Sequence, residues 1–147
     1  MSWRRGLLFA VFALLLLVLA LQFKSRQEQA LSQRARSELR TLATALELYY
    51  VHHANTFPDD LSGLVREKPR LLSALSLDPF GRGRRYGYFK ALGKASAYYL
   101  VFSRGPDRRP AITGIDPEGH PQCGKGSCGL IDDLCITNGA GAGSPNC

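Results

Sequence analysis

The chain has 147 residues, with 19 basic against 12 acidic side chains and a formal net charge of +7. After an apolar N-terminal run about 120 residues remain, which allows one compact domain and excludes two. A basic balance suits anionic lipid or nucleic acid but is too common to decide between them. No nucleophile elbow, phosphate-binding glycine loop or HExxH is present, so an enzyme is not expected.

Residues 7–21 are all apolar. Counted from Gly6 to Phe23, with Gln22 as the one interruption, the run extends roughly 27 Å at ~1.5 Å per residue, close to the ~30 Å of a hydrocarbon core. A transmembrane helix is therefore expected over 7–23. Leu31, Ala35, Leu39, Leu42, Leu46 and Tyr49 follow at steps of three and four, which places them on one helical face. No proline precedes Pro58, so one long helix is expected to continue to Asn55 or Pro58. Basic residues before the run and Val18-Leu19-Ala20 also fit a cleaved signal, with a mature start at Leu21. The helical pattern continues past that point, and anchoring is the expectation.

Asp59 and Asp60 offer an N-cap for a short helix through Leu61, Leu64 and Val65. Residues 71–77 suggest another helical turn, and Asp78-Pro79-Phe80-Gly81 a tight one. Residues 85–90 and 97–102 are strand candidates joined around Gly93-Lys94, with Tyr98, Leu100 and Phe102 on one face and Tyr99 and Val101 on the other. From 103 to 129 glycine and proline predict irregular chain; residues 130–137 suit a last strand, and 138–147 have linker composition. Thirteen of the fifteen glycines lie after residue 80. The expected class is α+β, a long N-terminal helix on a small antiparallel sheet.

All four cysteines, Cys123, Cys128, Cys135 and Cys147, fall in the last quarter. With His120 the first three could supply zinc ligands, but their spacing lacks a compact CxxC pair, and disulfides in an oxidising compartment are expected. Four cysteines allow three connectivities; Cys123 to Cys128 and Cys135 to Cys147 close local loops. His52-His53 belongs to the helix end, where histidine meets the terminal carbonyls. Arg82, Arg84 and Arg85 beside Tyr86, Tyr88, Phe89 and Lys90 mix charge with rings as single-strand binders do. Alternate aromatics on a strand are more often core, so nucleic acid is not the expected partner.

A basic leader, Gly6, an apolar helix with an extension ending in Tyr49-Tyr50, Thr56-Phe57-Pro58, Asp78-Pro79-Phe80-Gly81, Tyr98-Tyr99-Leu100, Ser103-Arg104-Gly105-Pro106-Asp107 and Asp132-Asp133-Leu134 occur in that order. This order resembles the major pseudopilins of type II secretion systems, relatives of type IV pilins. The resemblance implies a leader over 1–6, cleavage between Gly6 and Leu7, and a periplasmic domain over 24–147. It implies a bacterial inner-membrane protein that assembles with other pseudopilin subunits and the secretion machinery. It also implies calcium, in the loop between the Gly-Pro-Asp and Asp-Asp elements; Ser103, Asp107, Asp132 and Asp133 are the expected ligands, from acids that converge if their strands are neighbours. Two features depart from the family. The glutamate usual at the fifth mature position is Val11 here, and an insert at about 108–131 lengthens the calcium loop. A DNA-uptake pilin-like subunit, or an anchored exported domain that does not polymerise, are the alternatives.

Overall fold

The computed structural model describes residues 2–94, 96–124 and 133–139, with no side-chain description for residue 2 and residues 4–10. The chain divides into two compact units, Met1–Leu31 and Ser32–Cys147. A single helix, α1 (Ser2–His52), runs from the first into the second. Every large apolar side chain from Val11 to Leu21 that is described is substantially exposed, Val18 least at 45% and Leu14 most at 62%.

Among the described residues no helix is long and apolar enough to cross a membrane. Of the span expected over 7–23, side chains are described only from Val11. Those thirteen residues cover about 20 Å at 1.5 Å per residue, short of a hydrocarbon core of about 30 Å. Gly6 and Leu7, the expected processing pair, fall where side chains are not described.

In the second unit α1 becomes amphipathic as its spacing predicts. Ala35, Leu39, Leu42, Ala43, Ala45 and Leu46 are buried, while Arg36, Arg40, Thr44 and Glu47 are exposed. The helix stops at His52, six residues before Pro58. Ala54 and Asn55 take left-handed φ values of 50° and 60°, and the Asn55 N–H donates to the Tyr50 carbonyl at 3.1 Å, a bond that closes helix ends. A short helix follows, α2 (Gly63–Arg66); Asp60 accepts the Ser62 N–H at 2.6 Å in the turn before it. Residues 71–77 are irregular and not the helical turn their pattern suggests. They end in an isolated bridge between Leu77 and Arg85.

The main sheet is antiparallel, in the order β1 (Gly87–Leu92), β2 (Ala97–Ser103), β5 (Leu134–Thr137). Gly93 and Ser96 close the first hairpin through a 2.9 Å backbone bond. β2 lies in the middle and is buried on both faces. Its Tyr99 face meets Phe57, with ring centroids 5.0 Å apart, and Phe57 in turn stacks on Tyr50 of α1. Its Leu100 and Phe102 face joins Ile112 and Cys135 in a second core cluster. Gly87 stands opposite Phe102, whose ring occupies the place a Cβ would take.

That second cluster exists because the insert is not a loop throughout. β3 (Ile112–Ile115) and β4 (Pro121–Cys123) form a hairpin within the expected irregular stretch. Its turn is organised by Asp116, whose carboxylate accepts the Glu118 and His120 N–H groups at 3.0 and 2.7 Å, with Gly119 at φ 87°. Asp116-Pro117-Glu118-Gly119 is a turn signal in its own right, and Ile112, Ile115 and Cys123 supply the apolar face. Residues 125–132 and 140–147 lie outside the described part. At its start the expected linker is held: Asn138 accepts the Tyr99 N–H at 2.8 Å, and its amide donates to the Ala97 carbonyl at 3.2 Å.

Candidate functional site

β2 and β5 are neighbours, with Ser103 opposite Leu134, so the chain segments bearing the expected acidic ligands do meet at one end of the sheet. What the acids do there differs from one to the next. Ser103 is fully buried and donates its hydroxyl to Asp78 at 2.6 Å. Asp78 is itself 2% exposed and completely engaged. One oxygen accepts the Phe80 N–H at 3.0 Å as well as Ser103, and the other accepts the Arg104 N–H at 3.0 Å with the Arg104 guanidinium 3.6 Å away. A buried carboxylate survives because every lone pair direction finds a donor and a cation stands beside it.

Asp107 is exposed and accepts the Arg109 N–H at 2.9 Å, as a turn residue does. Asp132 is outside the described residues. Asp133 is 3% exposed and holds the start of β3: one carboxylate oxygen accepts the Ala111 and Ile112 N–H groups at 2.8 and 3.1 Å. Its other oxygen is buried with no partner among the described residues. Burial raises the Asp133 carboxyl above the usual carboxylate range, the two N–H donors oppose that shift, and the charges of Asp107 and Asp78 add to it. No group of three or more His, Cys, Asp or Glu able to hold a metal occurs among the described residues. Of the four expected calcium ligands, one is committed elsewhere, one is a solvated turn residue, one is not described, and Asp133 keeps one free buried oxygen. That atom is the one feature of the described set that suits a hard cation.

Cys123 and Cys135 are both disulfide-bonded, which removes them as zinc ligands. The expected connectivity involves Cys128 and Cys147, both outside the described residues. His53 behaves as a helix-end residue: its Nδ1 lies 2.9 Å from the Tyr49 carbonyl, its Nε2 3.1 Å from Glu67, and its ring stacks on Tyr49 at 3.8 Å.

The aromatic rings next to the arginines turn inward. Tyr86 donates to Glu38 of α1 at 2.7 Å and Tyr88 to the Pro58 carbonyl at 2.9 Å, while Phe89 stacks on Phe102 at 5.7 Å. Tyr86 is buried and Tyr88 and Phe89 are half-buried, each with a partner inside the domain, so none of the three rings is a free stacking platform. Arg82, Arg84 and Arg85 are exposed, and none forms an ion pair among the described residues.

The sequence did not announce Asp78 as the anchor of this end of the sheet or Asp133 as the clamp on β3. The only available hint was that each acid sits next to strand residues, where an unpaired carboxylate would be costly. No protein-family model, curated protein or solved structure matches this chain.

Proposed function

We propose that the chain is a pseudopilin-like structural subunit of a type II secretion or related pilus-like assembly, without enzymatic activity. In this reading its first helical unit is covered by lipid and by the helices of other subunits, in the bacterial inner membrane, and the second unit is periplasmic. The observation that carries the reading is the exposed apolar coat of residues 11–23. Leu14, Leu15, Leu16, Leu17, Val18 and Leu19 are consecutive and each at least 45% exposed, and at 100° per residue six of them face every direction around the helix. A partner on one side cannot cover such a segment; a surrounding medium or a bundle can. Burial is worth roughly 1.5–3 kcal/mol for each such side chain. The order of motifs from Gly6 to Leu134 supports the pseudopilin reading over a plain anchor.

Mass spectrometry of the protein isolated from membranes tests it. A start at Leu7 supports pilin-type processing, and a start at Leu21 in the soluble fraction overturns the anchored reading. Val11, 56% exposed where the family has a glutamate, favours a second reading, an anchored domain that does not polymerise. Leu16→Cys separates the two: disulfide cross-linking between copies in membranes marks assembly, and monomers alone mark the second reading.

Calcium belongs to the same proposal, with the buried Asp133 oxygen that has no partner among the described residues as its support. Asp107→Ala and Asp133→Ala should each abolish a calcium-dependent rise in melting temperature that follows the logarithm of free calcium. Equal melting temperatures in millimolar calcium and in chelator would show that no such site exists.

A further inference from the structure

We propose that the arginine corner at residues 82–85 is a docking site for the sugar–phosphate backbone of double-stranded nucleic acid. The corner is a held structure. Asp78, buried beneath it, donates its own N–H to the Arg84 carbonyl at 3.0 Å and accepts the Gly81 N–H at 2.8 Å, while the Arg84 N–H donates to the Gly81 carbonyl at 3.1 Å. The Leu77 to Arg85 bridge closes the base. Within this frame Arg82 adopts a left-handed φ of 49°, followed by Gly83 at 83°. A long side chain in that region carries a steric cost that glycine would not.

Arg82, Arg84 and Arg85 therefore present three guanidinium groups from four consecutive residues, all exposed and unpaired among the described residues. Arg104 adds a fourth at the base, donating to the Arg85 carbonyl at 3.1 Å and balancing Asp78. The carboxylate inside the corner is thus occupied, and the exposed charge is uncompensated. Guanidinium forks fit phosphate oxygens in pairs. Bases are not read here, because Tyr86, Tyr88 and Phe89 are engaged with Glu38, the Pro58 carbonyl and Phe102 inside the domain; single strands, which need stacking, are disfavoured against a duplex whose phosphates face outward. An anionic lipid surface is the competing partner, since Leu77 is 51% exposed beside Arg85. Fluid headgroups adapt to any arrangement of cations and need no braced loop. A duplex, whose phosphates keep a fixed spacing, rewards one.

The test measures fluorescence anisotropy of a labelled duplex with the full chain in neutral detergent, over a salt series. Three phosphate contacts predict a slope of about −3 for log K against log salt, the same for unrelated sequences. Each of Arg82→Ala, Arg84→Ala and Arg85→Ala should lower the steepness by about 1. Arg82→Gly removes the charge in a residue suited to the backbone, so it should lose the same increment with no loss of melting temperature. A charge-matched control, Arg66→Ala with Lys68→Ala and Arg70→Ala, should keep the full slope. The proposal is overturned by any of three results. One is no salt-dependent binding; another is equal loss in the control. The third is phosphatidylserine vesicles captured through these arginines while the duplex is not.

Discussion

The two ends of α1 are built from the same kinds of residue and meet opposite fates. Residues 14–19 are all apolar and each is about half exposed, whereas Leu39, Leu42 and Leu46, spaced by three and four, are 1%, 4% and 0% exposed. In the second unit polar residues alternate with the apolar stripe, so the helix has one side to hide, and that side is buried within the unit. Along residues 11–21 there is no polar side, and the apolar surface faces every direction around the helix. Periodicity, more than apolar content, decides whether a helical segment is satisfied by its own domain.

An aspartate placed in each end probes that difference most strongly. Leu42→Asp puts a charge into a closed seam and should cost about 3–5 kcal/mol, enough to lower the denaturation midpoint drastically. Leu16→Asp should leave the unfolding of the second unit within about 0.5 kcal/mol of wild type while impairing retention in membranes. Equal melting curves for Leu42→Asp and wild type would remove the distinction. Reduction of the disulfide bonding at Cys123 and Cys135 acts on the cluster of Leu100, Phe102 and Ile112 and should cost about 2–5 kcal/mol; unchanged melting in reductant would show that the β3–β4 layer does not need it.

Gly87→Ala sharpens the comparison from the sheet side. A methyl group there meets the Phe102 ring, and forcing it in should cost about 1–3 kcal/mol, read as a lower urea midpoint with no change in membrane retention. The smallest loss within the second unit is expected at the tie between α1 and Tyr86, just before β1. Tyr86→Phe deletes the 2.7 Å bond to Glu38, worth about 1 kcal/mol. Burial first, then the Glu38 bond and charge, push the Tyr86 hydroxyl above its ordinary 10.0, and burial does the same to Tyr88 and Tyr99. The folded state thus holds these protons more tightly than the unfolded state. Their stabilising contribution is fully present below pH 10 and is lost as pH rises beyond it. The variant should show a shallower alkaline loss of stability than wild type, measured by chemical denaturation at successive pH values; parallel profiles would exclude a role for this tyrosine.

The sequence by itself determined the features that depend on near neighbours. The seam from Ala35 to Leu46 followed from helical spacing, and the turn at Gly93 and the strands on either side from short apolar alternation. The helix end near Asn55 followed from the approach of Pro58. Each is set by contacts within a few residues, so its pattern survives in one dimension. The tertiary structure decided the rest. Whether Ser103 serves a cation or Asp78 depended on a residue 25 positions away, and Asp133 acquired its role only when β3 came within reach of its carboxylate. Even the β3–β4 hairpin, despite the turn signal at Asp116, has a reason to form only because the Leu100 and Phe102 face of β2 needs covering. Charge and apolarity can be read along a chain, but the partner that satisfies a buried oxygen or an exposed ring is chosen by which strands lie side by side.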